Sequence, residues 1–157
     1  MTVKAIPLPA GYPTLLPYLV VRRAAEAIAF YQQVFGAVEI MRLNAPDGSI
    51  GHAEIKIGEA VVMLSEENPA WGSLSPEAIG GSPVTLFLYV PDVDATFESA
   101  IKAGAKELMP VKDQFWGDRT GVVIDPFGHR WHIGTHIEDV DPDKLQQRMT
   151  KAFYPNS

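Results

Sequence analysis

Three of the four histidines, His129, His132 and His136, fall inside the segment DPFGHRWHIGTH, residues 125–136. On a helix they would follow i, i+3, i+7 and share one face, an arrangement suited to a divalent cation. The flanking residues point elsewhere. Asp125-Pro126-Phe127-Gly128 has the signature of a type I turn, with Pro second and Gly fourth. From His129 to Ile133 aromatic and apolar residues alternate with polar ones, the pattern of a half-buried strand. A period of two sends His129 and His132 to opposite faces, so the triplet is no ready-made metal site and His132 stands alone. A neutral imidazole both donates and accepts near pH 7, which makes His132 a candidate ligand-contacting or acid–base residue; the structural alternative is a half-buried strand histidine hydrogen-bonded to a neighbour.

Two other groupings could do chemistry. His52 and Glu54, two apart in GHAEIKI, point to one side of a strand and form a pair able to relay protons or bind a metal, although exposed strand faces also carry such residues. In FWGDR, residues 115–119, Phe115 and Trp116 could stack on a planar ligand while Arg119 pairs with its carboxylate or phosphate. The structural alternative makes the aromatics core plugs and Asp118–Arg119 an ion pair. Trp131 falls on the face opposite His132 and is assigned to helix packing. Tyr89 shares the parity of Thr85, Asp125 and Gly128 are turn residues, and His136 with the following residues is assigned to the surface.

The elements that must position these residues come from an internal repeat. Adding 69 to positions in the first half lands on matching features in the second without a gap. LPYLVV (16–21) falls on TLFLYV (85–90), two apolar strands that each lead into a helix. The stripe Ala24, Ala27, Ile28, Tyr31, Val34, Phe35 is answered by Val93, Phe97, Ala100, Ile101. Asp92 is the expected cap of the second helix, and Gly36 and Gly104 are the expected ends. Three strands follow each helix: 38–43, 50–57 and 60–65, then 106–111, 119–124 and 129–134, with APDGS as the first hairpin turn. Pro17 cannot donate to a ladder and requires a free edge. The predicted class is α+β: one domain over residues 1–140, made of module one (14–66), a linker (67–82) and module two (83–140). A tail of 141–157 carries a capped helix, Pro142 to Phe153.

The chain has 157 residues, 46% of them hydrophobic, enough for one well-cored domain or two small units. No cysteine occurs, which fits a reducing compartment and removes thiolate ligands. Met1 to Pro13 lacks the basic start and apolar run of a secretory signal, so the expected location is cytoplasmic. A net charge of −6 and a pI near 5.1, with no Lys/Arg cluster, work against a nucleic-acid partner, and no membrane partner is expected.

Tandem βαβββ modules, the helices AIAFYQQVFGA and VPDVDATFESAIKAGA, and the hairpin DPFGHRWHI resemble the vicinal oxygen chelate superfamily of glyoxalases, bleomycin-resistance proteins and extradiol dioxygenases. DQFWGDRTGVVIDPFGHRWHIGTHIEDV resembles more narrowly its PhnB-like, glyoxalase-related branch. The resemblance spans about residues 14 to 140. It implies a curled mixed sheet around a cavity, in a homodimer, with four metal-ligand positions at Leu16, Met63, Thr85 and His132. Only His132 is a conventional ligand; Leu and Met are apolar and Thr is weak. The expectation is therefore a glyoxalase/bleomycin-resistance-like protein that binds a small organic molecule without the four-ligand metal. Tyr18, Met63, Thr85, Phe115, Trp116, Arg119 and His132 are its candidate contacts. The alternative is a metal-dependent lyase, isomerase or dioxygenase holding its ion by His52, Glu54 and His132. A metal-independent acid–base enzyme using His132 with Tyr18 or Arg119 lies between the two, and a functional dimer surface over a vestigial cavity is a third possibility.

Overall fold

A computed structural model describes residues 6–155, so the reading of Met1 to Pro13 falls partly outside the described residues. The chain forms two compact units, 1–80 and 81–157.

In the first unit the order is β1 (Tyr18–Val21), α1 (Ala24–Phe35), β2 (Val38–Asn44), β3 (Ile50–Ile57), β4 (Ala60–Glu66) and, after a 3₁₀ turn at Pro69–Trp71, the short α2 (Pro76–Ile79). The strands make an unclosed mixed sheet, β1-β4-β3-β2, with β1 parallel to β4 and the other pairs antiparallel. Leu19, Leu64 and Ala53 stand side by side in the ladder and are buried, as are Ala24, Ala27, Ile28, Tyr31 and Val34 of α1, which packs on β2, β3 and β4. β1 starts at Tyr18, two residues later than its apolar run. Pro17 has no N–H to give, and only its carbonyl joins the ladder, accepting from the Met63 N–H at 3.0 Å. As an edge strand, β1 supplies the free side that Pro17 requires. The linker is more ordered than its Ser, Pro and Gly content suggests: Ser75 caps α2 by accepting from the Ala78 N–H, with Pro76 at the first helical position.

The second unit repeats the plan: β5 (Thr85–Tyr89), α3 (Val93–Lys102), β6 (Lys106–Asp113), β7 (Asp118–Ile124) and β8 (Arg130–His136), in the order β5-β8-β7-β6. Asp92 caps α3 by accepting from the Ala95 N–H. Phe97 of α3 lies so close to Gly121 that a Cβ there would come within 2.7 Å of its ring. Val123, Trp131 and Ile133 share the Gly121 face and are buried, so the helix side of the sheet is the core. α4 (Pro142–Phe153) is capped by Asp141 and buries none of its residues fully. It is held to its own unit by Arg148, paired with Glu138 at 2.6 and 2.8 Å, and by an edge-to-face contact of Phe153 with Phe115.

The repeat holds in three dimensions, with one correction. Tyr18 opposite Met63 becomes Phe87 opposite His132, each shifted by 69. The antiparallel hairpin, however, is one residue longer in the second unit: Glu54 faces Met63 nine positions on, whereas Val122 faces His132 ten positions on. The gapless offset would put Val123 in the place of Glu54, but Val123 faces the helix. A one-residue slip changes the face of every side chain on a strand. His52 and Glu54 therefore correspond to Thr120 and Val122, and their pair is not duplicated. Among the described residues no helix is long and apolar enough to cross a membrane.

Candidate functional site

On the helix-free face of the first sheet, β1, β3 and β4 bring together Tyr18, Met63, His52 and Glu54. Glu54 is only 4% exposed. It accepts hydrogen bonds from the Tyr12 hydroxyl and from His52 Nε2, the latter at 3.2 Å. His52 Nδ1 lies 3.1 Å from the Tyr18 hydroxyl. With Nε2–H donating to Glu54, the Nδ1 of a neutral ring would accept from the Tyr18 hydroxyl. The hydrogen bond from Tyr12, helped by His52, holds the Glu54 carboxyl below its ordinary pKa against the opposing effect of burial. The arrangement is a short hydrogen-bonded chain, Tyr18–His52–Glu54. Its outer member lines a cleft of about 550 Å³ together with Ser49, Gly51, Asn68 and Trp71.

The helix-free face of the second sheet is built around His132. Phe87, its neighbour on β5, lies 4.5 Å away between ring centroids, and Trp116 stands perpendicular to it at 6.3 Å. His132 is half-buried, and burial, with Arg130 adding its charge, pushes its pKa below the ordinary imidazole range. The shift favours the neutral ring. Behind this aromatic cradle sits Asp118, 2% exposed, which accepts from the Tyr89 hydroxyl at 2.8 Å, Trp116 Nε1 at 2.9 Å and His136 Nδ1 at 2.7 Å. Burial alone would raise the Asp118 pKa; the three hydrogen bonds outweigh it and the net shift is downward. His136 Nε2 meets a second carboxylate, Asp139, at 2.8 Å, and two acceptors on one ring favour the doubly protonated form. Its pKa is raised, by Asp139 first and Asp118 second.

The sequence candidates separate accordingly. Tyr18 and Met63 are ladder partners beside the hydrogen-bonded chain; Trp116 and His132 meet in the cradle. Thr85 is exposed at the start of β5 opposite Arg130, one row away from His132. Phe115 packs between Trp116 and Phe153. Arg119 lies on the helix side of β7, away from His132, where its guanidinium binds both oxygens of Asp94 at 2.8 Å and Asp113 at 2.9 Å. Asp118 pairs with His136, not with its neighbour Arg119, because adjacent strand residues point to opposite faces. Trp131 faces the core as expected, 3% exposed, its Nε1 donating to Asp125.

Sequence reasoning missed the Tyr89–Asp118–His136 hub. The signal was available: counting outward from the DPFG turn, Ile124 opposite Arg130 brings Asp118 opposite His136. Tyr12 carried no such signal, because its approach to Glu54 depends on the path of an irregular segment.

The donor set does not fit a divalent metal at the four ligand-equivalent positions. Leu16 and Met63 offer no hard donor and Thr85 only a hydroxyl, which leaves His132. His52 and Glu54 are bonded to each other and to tyrosines. Among the described residues no three His, Cys, Asp or Glu side chains group so as to hold an ion.

Comparison with known proteins fixes the lineage. The family model "Glyoxalase/Bleomycin resistance protein/Dioxygenase superfamily" matches residues 13–133. The chain belongs to this superfamily. Among its relatives, protein Rv0887c of Mycobacterium tuberculosis is 46% identical over 141 residues, covering 88% of this chain and 83% of its own. TioX from Micromonospora sp. ML1 superposes with a TM-score of 0.62 at 28% identity, covering 78% of this chain and 98% of its own. The PhnB protein from Bacillus cereus, at 17% identity, shares the fold with a TM-score of 0.61 over 78% of this chain and 99% of its own.

Proposed function

We propose that this superfamily member binds a small organic molecule on the helix-free face of its second sheet, in the manner of a bleomycin-resistance-like protein and without the four-ligand metal. The observation that carries this reading is the setting of His132. At a ligand-equivalent position the chain keeps an imidazole shifted toward its neutral form, half-buried between Phe87 and Trp116, while Leu16, Met63 and Thr85 occupy the others. Apolar rings around one polar group capable of donating or accepting are what a small-molecule site requires. The Asp118 hub locks Trp116 and Tyr89 in place and so pre-organises that surface. A cytoplasmic homodimer without nucleic acid completes the reading. The acidic balance supports the last point, and the edge strands β2 and β6, which expose Val38, Ile40, Leu43, Leu108 and Met109, support association.

The test is a thermal-shift series on EDTA-treated protein with Zn²⁺, Ni²⁺, Mn²⁺ and Fe²⁺ and, separately, small aromatic compounds. A ligand at 100 times its dissociation constant stabilises the native state by about 2.7 kcal/mol. Saturable stabilisation by an aromatic compound, lost in Trp116→Ala, is expected. Saturable stabilisation by one metal alone would instead assign the metal-dependent lyase, isomerase or dioxygenase activity.

One observation favours a second reading. The hydrogen-bonded Tyr18–His52–Glu54 chain opens on a cleft, which suits acid–base catalysis without a metal. Turnover of a thiohemiacetal in a glyoxalase assay by metal-free protein, abolished by Tyr18→Phe, would establish it; an inactive wild type would exclude that reaction.

A further inference from the structure

Of the six arginines, Arg22, Arg23, Arg42, Arg119 and Arg148 each hold a carboxylate. Arg130 does not. Its side chain is half-buried, its Nε is shielded from solvent, and that Nε has no hydrogen-bond partner among the described residues. A buried donor without an acceptor is costly and uncommon, more so when it carries charge. The lack of a partner is not for want of acids, since the chain carries 19 Asp and Glu residues.

Its position gives the orphaned group a use. Arg130 and His132 are two apart on β8 and point to the same helix-free face. The ladder sets Thr85 beside Arg130 and Phe87 beside His132, so a cation flanked by a hydroxyl borders an imidazole flanked by an aromatic ring. Successive rows on one face of a strand lie about 7 Å apart, the length of a substituted aromatic ring. We propose that Arg130 takes the anionic group, a carboxylate or another oxyanion, of a small ligand whose flat body lies over Phe87, His132 and Trp116. The guanidinium fork is built for two parallel hydrogen bonds to such a group, and the Thr85 hydroxyl stands ready as a further donor. The same proximity bears on His132, whose pKa is lowered by burial first and by the Arg130 charge second. An anion bound there neutralises that charge and eases protonation of His132.

The inference rests on the ligand site proposed above, and its test separates the two. The full chain, labelled with ¹⁵N-histidine and freed of metal, is titrated with benzoate, phenylphosphonate and neutral benzamide while the His132 ring signals are followed. The anions are expected to bind about tenfold or more tightly than benzamide, the range of a hydrogen bond to a charged group. Arg130→Gln should remove that preference, weakening the anions far more than benzamide. Arg130→Lys, which keeps the charge and loses the fork, should retain part of it, and Trp116→Ala should weaken all three. Anions and amide bound alike by the wild type, or an anion preference that survives in a folded Arg130→Gln, would overturn the role of Arg130 and leave the site standing. No response of His132 to any probe would overturn the site and this inference with it.

Discussion

At the scale of the residue, two histidines four positions apart on β8 are tuned in opposite directions by what surrounds them. Burial lowers the pKa of His132, and two carboxylates raise that of His136. An NMR titration should place the His132 pKa below and the His136 pKa above the ordinary value of about 6.5. The stability contributions follow with opposite sign. Whatever His136 contributes is present below about pH 6.5 and is lost as pH rises through its raised pKa. The neutral His132 contributes above about pH 6.5, and that contribution is lost as pH falls toward its lowered pKa. Asp118→Ala leaves Tyr89, Trp116 and His136 without their common acceptor and should cost about 1–3 kcal/mol in urea unfolding. Destabilisation below about 0.5 kcal/mol would deny the hub a structural role. Parity alone separated Trp131 from His132 in the sequence. It did not reveal the partners of Arg119, because Asp94 reaches that residue from another element, 25 positions away.

At the scale of the element, the two helices that cover the sheets are capped by equivalent devices built from different residues. Glu66, at the end of β4, accepts from the backbone N–H groups of Arg23 and Ala24 at 2.7 and 2.8 Å, and Arg23 adopts a left-handed φ of 61° to enter α1. Shifted by 69, Thr135 at the end of β8 accepts from the N–H of Val93. Glu66→Ala should lower stability by about 1–2 kcal/mol, the range for losing a helix cap. Thermal unfolding of the variant against wild type would show it, and an unchanged midpoint would contradict the capping role. Gly117, between the aromatic pair and β7, has a φ of 99°, and a Cβ there would meet the Glu138 carbonyl at 2.1 Å. Gly117→Ala should therefore destabilise by more than about 1 kcal/mol and disturb the near-ultraviolet signal of Trp116. Helices and strands were legible because apolar period and caps agree over α1, α3, β3 and β5. The helical turns of the linker were less so, since Ser-Pro and Asn-Pro open turns and short helices alike.

At the scale of the whole molecule, duplication has produced two sheets of one plan with different chemistry. The first carries a hydrogen-bonded chain around Glu54; the second carries an aromatic cradle backed by Asp118. Both hub carboxylates are held below their ordinary pKa. Each thus stabilises the native state above about pH 4, and that stability should be lost as pH falls through their lowered values. Acid titration of Glu54→Gln and Asp118→Asn should show a smaller loss than wild type. The repeat made the architecture readable without coordinates. The site was harder to read because the extra residue in the second hairpin decides which face β7 turns to it. The proposed role of His132 is to serve an organic ligand and not a metal. It is tested most directly by adding one equivalent of Zn²⁺ or Ni²⁺, and then an aromatic ligand found by thermal shift, to metal-free protein while the His132 ring nitrogens are observed by NMR. Saturable movement with the organic ligand and none with either ion is expected; a stoichiometric change at His132 on adding a metal would contradict the organic-ligand role.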